Sequence, residues 1–253
     1  MVDESARDIA LGNEILRGVV GSTAHGTAIA GSEDRDELGV FIEPPAYVCG
    51  LESCDHYVKR DRPEGVRSRP GDEELILYSL RRFCRLAARG NPTALLLLWL
   101  PSYVKTTEVG EGLVRLRDAF VSRDAGERFL GYLVAQKQRL TGERGRNVRR
   151  PEVVAEFGYD TKFAMHALRL GYEGIGLMAS GRLPVPVPAP DLEVLRAVRA
   201  GRVAYADVLA LIADVELRLR ERVAACSRAA DLAAINAFMV EAHLRHWGAV
   251  RTA

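Results

Sequence analysis

Cysteine is scarce: Cys49, Cys54, Cys84 and Cys226 are the only four. None forms a C-x-x-C pair or lies at zinc-finger spacing from a histidine, so neither a disulfide scaffold nor a structural zinc site is expected. A surplus of either charge is missing too, since 35 Lys plus Arg against 34 Asp plus Glu leave a formal net charge of +1. That balance excludes a globally basic nucleic-acid coat and an acidic disordered tail. Long apolar runs are absent, and the longest, Ala94 to Leu100, is far short of the roughly 20 residues a membrane-spanning helix needs. The opening MVDESARDIA has no basic stretch leading into an apolar one, so the chain reads as cytoplasmic, with no membrane partner. No internal repeat is visible. What is present is ordinary: 48% hydrophobic and 27% charged residues over 253 positions, enough for one large core or two modest ones.

Along the chain, residues 4–17 read as a first helix, with Ile9, Leu11, Ile15 and Leu16 on a loosely amphipathic face. Val19-Val20 then runs as a short strand into a turn rich in glycine (Gly21, Gly26, Gly31), and Leu38 to Ile42 reads as a second strand stopped by Pro44-Pro45. The basic stretch Lys59 to Arg69, with Pro63 and Gly65, reads as a loop. Alternation from Glu74 to Tyr78 predicts a strand, which leads into a helix with Leu80, Phe83, Cys84, Leu86 and Ala87. Asn91-Pro92 supplies a cap and a first-turn proline for an apolar helix that Pro101 ends. From about Glu111 onward helical periodicity dominates, interrupted by the basic segment Lys137 to Arg150 and the proline-rich segment Leu183 to Pro190. Val203 to Cys226 and Asp231 to Trp247 supply the last two helices.

The stretch most suggestive of chemistry is Gly21-Ser22-Thr23-Ala24-His25-Gly26-Thr27, followed by Asp34-Arg35-Asp36. A tight turn after a strand, with a hydroxyl residue and exposed backbone N–H groups, suits phosphate oxygens. Strand alternation puts Asp34 and Asp36 on one face, where two carboxylates can share divalent cations. Ordinary turn chemistry on solvated loops is the plain alternative.

Gly21-Ser22, eleven intervening residues and Asp34-x-Asp36 resemble the signature of the polymerase-β-like nucleotidyltransferase superfamily. Glu33 to Pro44, Tyr78 to Phe83, Gly90 to Thr93 and Gly158 to Arg169 extend the likeness to a phage and bacterial branch of predicted nucleotidyltransferases, over roughly residues 18–190. One departure is that Arg35 and Glu37 follow the two acids, where the superfamily places apolar residues, which suggests an edge-like strand or one starting only at Asp36.

The resemblance implies an α+β fold. A nucleotidyltransferase domain, a short mixed sheet with helices over residues 1–110, would be followed by a helical domain, 111–253, closing over the nucleotide cleft. It implies Mg²⁺ or Mn²⁺ on Asp34, Asp36 and a third carboxylate. Glu74 is the choice there, with Asp72 and Glu73 as neighbouring alternatives, and the third acid would serve as general base to the attacking hydroxyl. The substrate would be a nucleoside triphosphate such as ATP, with its phosphates on Gly21 and Ser22 and a nucleoside monophosphate passed on with release of pyrophosphate. Lys162, His166 and Arg169 fall at i, i+4 and i+7, a cationic face for the triphosphate tail. Tyr159 would stack on the base, and Asp160 would cap the helix. The basic segment Lys137–Arg150 is a candidate contact for an RNA or tRNA acceptor. Arg81 and Arg82 are candidates to pair with the acidic centre, and Trp99 and Trp247 are expected in the core. A protein or small-molecule acceptor, or a non-catalytic nucleotide-binding or antitoxin-like partner, are the alternative functions.

Overall fold

The computed structural model describes residues 4–28, 35–61, 71–143 and 150–251. The chain divides into two compact units, one of Met1–Ala88, Thr93–Phe120 and Ala230–Ala253, the other of Arg89–Pro92 and Val121–Ala229. The fold is α+β. The last helix belongs with the sheet.

The first unit opens with α1 (Glu4–Gly12) and β1 (Glu14–Val19). The predicted helix over 4–17 therefore stops early. Gly12 weakens it, and the backbone N–H and side-chain amide of Asn13 both donate to the Ile9 carbonyl. Ile15 and Leu16 are then buried in the strand. Next come the one-turn α2 (Gly21–His25), β2 (Arg35–Phe41), α3 (Pro45–Cys49), β3 (His56–Arg60), β4 (Glu73–Ser79), α4 (Leu80–Ala88), α5 (Pro92–Leu98), β5 (Lys105–Thr106) and α6 (Glu108–Arg115). Lys59 and Arg60, expected in a loop, end β3. Residues 62–69 of that segment, including Arg62, Arg67 and Arg69, lie outside the described residues.

The strands form one mixed sheet in the order β3-β4-β2-β1-β5. β2 and β4 run parallel, and the other neighbours are antiparallel. One face is filled by Phe41, Tyr57 and Leu77 under Ala10 of α1, with Cys54 beside them. On the other, Gly18 lets Leu97, Leu100 and Tyr103 approach the backbone of β1, where a Cβ would strike Leu100. α4 buries Leu80, Phe83, Cys84 and Ala87, the i, i+3, i+4, i+7 stripe of a core-facing helix.

In the second unit, α7 (Arg123–Leu140), α8 (Pro151–Phe157), α9 (Thr161–Ser180), α10 (Ala189–Arg199) and α11 (Tyr205–Ala225) leave strands behind, as their sequence predicts. Gly126, Gly171 and Gly174 sit where α7, α9 and α11 meet. An added Cβ at Gly171 would collide with Val215, and one at Gly174 would lie 2.9 Å from Phe129.

The chain then returns to the first unit. Asp231 N–H donates to the Ala119 carbonyl at 2.8 Å, and α12 (Leu232–Arg251) follows. Among the described residues, no helix is long and apolar enough to cross a membrane.

Candidate active site

β1 delivers the chain into the Gly21 turn. Val20 N–H donates to the Asp36 carbonyl at 2.8 Å, which ties the turn to β2. Gly21 adopts φ 68°, a region that favours glycine. Its missing side chain also makes room for Asp36, because a Cβ there would lie 2.5 Å from Asp36 Oδ2. Thr27 N–H donates to the Ser22 carbonyl at 2.9 Å and closes the turn. His25, the last residue of α2, is buried.

Register brings the second carboxylate in. In the parallel β2/β4 ladder Asp36 is the partner of Glu74, and Arg35 that of Glu73. Paired residues project to the same face, so Asp36 and Glu74 stand side by side on strands about 4.8 Å apart, while Glu73 belongs to the opposite face. Asp72 contributes its carbonyl, which accepts from Arg35 N–H at 3.0 Å. On the other side of Glu74 the register places Arg60 of β3, whose Nε donates to Glu74 Oε1 at 2.9 Å. Across three strands the row reads Asp36, Glu74, Arg60. Asp34 lies outside the described residues.

β2 is an interior strand of the sheet, which corrects the expectation of an edge, and the two residues that flank Asp36 are paired. Glu37 takes Arg35 at 2.6 Å and Arg17 at 3.0 Å, Arg17 also meets Glu14 at 2.9 Å, and Lys105 meets Glu14 at 3.2 Å.

Among the described residues no group of three or more His, Cys, Asp or Glu is arranged to hold a metal ion. Asp36 and Glu74 nonetheless supply hard carboxylate oxygens on one face, the donor chemistry that suits Mg²⁺ or Mn²⁺.

The remaining predicted residues belong to the second unit. Asp160 caps α9, accepting from the N–H groups of Lys162 and Phe163 at 3.0 and 3.1 Å. It also pairs with Arg150 at 2.9 Å, and that guanidinium lies over the Phe163 ring. Lys162 is exposed and His166 half-buried. Arg169 binds both carboxylate oxygens of the buried Glu173, at 3.1 and 2.9 Å, so its charge is already countered. The Tyr159 ring is 3% exposed, stacks on Tyr205, and donates its hydroxyl to the Val203 carbonyl at 2.9 Å. Within the basic segment, Arg150 is held by Asp160 and Lys137 by Glu216 at 3.0 Å, while Arg144, Arg146 and Arg149 lie outside the described residues.

Arg81 and Arg82 pair with Glu43 and Asp55, at the end of β4 away from Glu74. Glu43 is the centre of a cluster that sequence reasoning missed. It is 1% exposed and meets His243 of α12, 6% exposed, at 3.3 Å. Burial raises the Glu43 carboxyl, but hydrogen bonds from His243 and Ser79, its own backbone and the His243 charge outweigh burial and hold it below its ordinary value. Burial likewise opposes charge on His243, yet its bonds to Glu43 and the Met239 carbonyl bring it above its ordinary value. Burial, then the Glu43 charge, push the neighbouring Cys84 thiol up to about 12, which makes it inert as a nucleophile. Trp247, expected in the core, is only half-buried; its Nε1 donates to the Glu43 carbonyl at 2.8 Å and tethers α12 there.

The sequence profile of the RNA repair pathway DNA polymerase beta family matches residues 7–238. No curated protein matches the chain. Among solved structures, a nucleotidyltransferase-like protein from Exiguobacterium sibiricum is similar at 11% identity, with a TM-score of 0.32, over 96% of this chain and 75% of that one.

Proposed function

The chain belongs to the RNA repair pathway DNA polymerase beta family, a polymerase-β-like nucleotidyltransferase group, and on that premise we propose that it transfers a nucleoside monophosphate from a nucleoside triphosphate to an acceptor hydroxyl, releasing pyrophosphate. The acceptor we assign is an RNA end, tRNA included, in keeping with the family's description. The observation that carries the reading is the in-register pair of Asp36 and Glu74 beneath the Gly21 turn. Two carboxylates side by side on adjacent strands can share a divalent cation. Asp36 and Glu74, together with Asp34, would hold Mg²⁺ or Mn²⁺, which when bound lowers the pKa of an attacking hydroxyl and neutralises phosphate charge.

The protein's own residues orient the reactants. Gly21 and Ser22 receive phosphate oxygens on a turn with no side chain at its closest approach to Asp36, and Glu74 accepts the proton of the acceptor hydroxyl.

The test is a transfer assay with each of the four nucleoside triphosphates labelled at the α-phosphorus, Mg²⁺, and RNAs bearing a free 3′-hydroxyl. Label on RNA with equimolar pyrophosphate, abolished by Asp36→Asn and by Glu74→Gln, is the expected outcome. Label on protein or small molecules in an extract would replace the acceptor. A folded protein that releases no pyrophosphate with any nucleotide would overturn catalysis in favour of a binding role.

A further inference from the structure

Arg60 has no part in the chemistry outlined above, yet register places it in the same row as the acid pair. β3 meets β4 with Arg60 opposite Glu74, and β4 meets β2 with Glu74 opposite Asp36, so a guanidinium and two carboxylates project from one face of three neighbouring strands. The contact is specific: Arg60 Nε lies 2.9 Å from Glu74 Oε1, and the two side chains are 33% and 36% exposed. The end of β3 is fastened here by more than this pair. Asp61 Oδ2 accepts from Glu73 N–H at 3.0 Å, and Lys59 lies 3.6 Å from Glu73 on the opposite face. Arg60 is thus delivered to Glu74 by a strand pinned on both faces, and not by a side chain reaching across a gap.

We propose that Arg60 is the positioning residue of the metal site, holding Glu74 beside Asp36 while its fixed positive charge competes with the divalent cation for that carboxylate. The inference rests on the metal-binding reading given above. The guanidinium takes Oε1, which fixes the carboxylate's rotamer. It also partly neutralises the repulsion between Asp36 and Glu74 when no cation is present. A divalent cation joining the pair must then share Glu74 with a neighbouring positive charge, so Arg60 lowers the site's metal affinity while keeping its geometry.

Removing the charge should therefore tighten metal binding. A unit and a divalent positive charge that share one carboxylate, screened as in water because both side chains are part-exposed, would repel enough to change affinity about tenfold. The experiment measures Mn²⁺ binding directly, by the electron paramagnetic resonance signal of the free ion, and needs no turnover. Wild type, Arg60→Met, Arg60→Gln, Arg60→Lys and Asp36→Asn are compared, each first shown to be folded by thermal unfolding.

Both neutral variants should bind Mn²⁺ about tenfold more tightly than wild type, and Arg60→Lys, which keeps the charge but not the planar donor, should stay near wild type. Nucleotide transfer by the neutral variants should fall despite the tighter metal, because Glu74 has lost its anchor. Neutral variants that bind Mn²⁺ as wild type does, or more weakly, overturn the proposal. So does a loss of nucleotide affinity at unchanged Mn²⁺ affinity, which would make Arg60 a phosphate ligand instead. Asp36→Asn separates the two claims: if wild type binds Mn²⁺ and this variant does not, the metal site stands and the Arg60 result bears on Arg60 alone. If wild type shows no Mn²⁺ binding that depends on Asp36, the metal reading fails and takes this inference with it.

Discussion

Replacing His243 with alanine removes the partner of a carboxylate that has almost no access to water. Glu43 is 1% exposed, and the nearest remaining cation, Arg81, stands 3.9 Å away through an Nε with no hydrogen bond of its own. Breaking a buried ion pair from one side costs about 3–5 kcal/mol, because an uncompensated charge stays behind. Arg81 and the Ser79 hydroxyl soften this, so about 3 kcal/mol is expected, or roughly 6–12 °C in the unfolding of the sheet unit. Glu43→Gln on top of His243→Ala removes the stranded charge and should recover about half of that loss, a coupling that a double-mutant cycle measures.

The pH dependence follows from the two shifts. His243 titrates above its ordinary 6.5, so its contribution is complete below pH 6.5 and fades as pH rises through the folded-state value. Glu43 titrates below its ordinary 4.5, so its contribution is present above pH 4.5 and is lost as pH falls through the lower folded-state value. The stability gap between wild type and His243→Ala should be widest between pH 4.5 and 6.5 and narrow on either side, as read by thermal unfolding across a pH series. A gap below about 1 kcal/mol throughout, or a double variant no more stable than the single, would refute the reasoning.

Two glycine pairs provide further tests. Gly21→Ala must adopt a left-handed φ, costing about 1–2 kcal/mol, and brings a methyl group 2.5 Å from Asp36 Oδ2. A lower melting temperature and weaker Mn²⁺ binding are expected, while Gly12→Ala, with no atom within 4 Å of the new Cβ, should leave metal binding unchanged. In the helical unit, Gly171→Ala drives a Cβ into Val215 and to 2.9 Å from Leu133, an overpacking worth about 1–3 kcal/mol. Gly131→Ala in α7 meets nothing within 4 Å and should stabilise by up to about 1 kcal/mol through helix propensity. Opposite signs in denaturant unfolding are the expected result, and equal signs would count against the packing argument.

Local patterns in the chain carry much of the fold. The alternation of Glu74 to Tyr78 becomes β4, the Asn91-Pro92 signal opens α5, and the helical periodicity beyond residue 111 becomes the helices of the second unit and α12. Each of these depends on neighbours a few residues away, which a sequence displays. Gly12-Asn13 displays its stop signal just as locally, but the apolar Ile15 and Leu16 fit a helical face as well as a strand, and burial in the sheet decided for the strand. The pairing of Asp36 with Glu74, and of Glu74 with Arg60, depends on strand order and register, which no local pattern contains. Glu43 and His243 are 200 positions apart, and each looks unremarkable among its own neighbours. The ion pairs of the basic segment are hidden for a related reason: a run of cations says nothing of acids elsewhere in the chain, such as Glu216 and Asp160, which pair with Lys137 and Arg150.

The sheet unit is written in three stretches of sequence, and α12 is the last of them. During synthesis, residues 121–229 leave the ribosome before α12 does, so α7, α9 and α11 can close around their glycines first. All five strands have been made by then, but the end of the sheet that holds Glu43 is still open to solvent. His243 and Trp247 arrive only with α12, and their docking converts a hydrated carboxylate into a buried ion pair. Ribosomal pausing shortly before α12 would therefore leave a finished helical unit and an unfinished sheet in one nascent polypeptide, with the site-bearing unit the one awaiting completion.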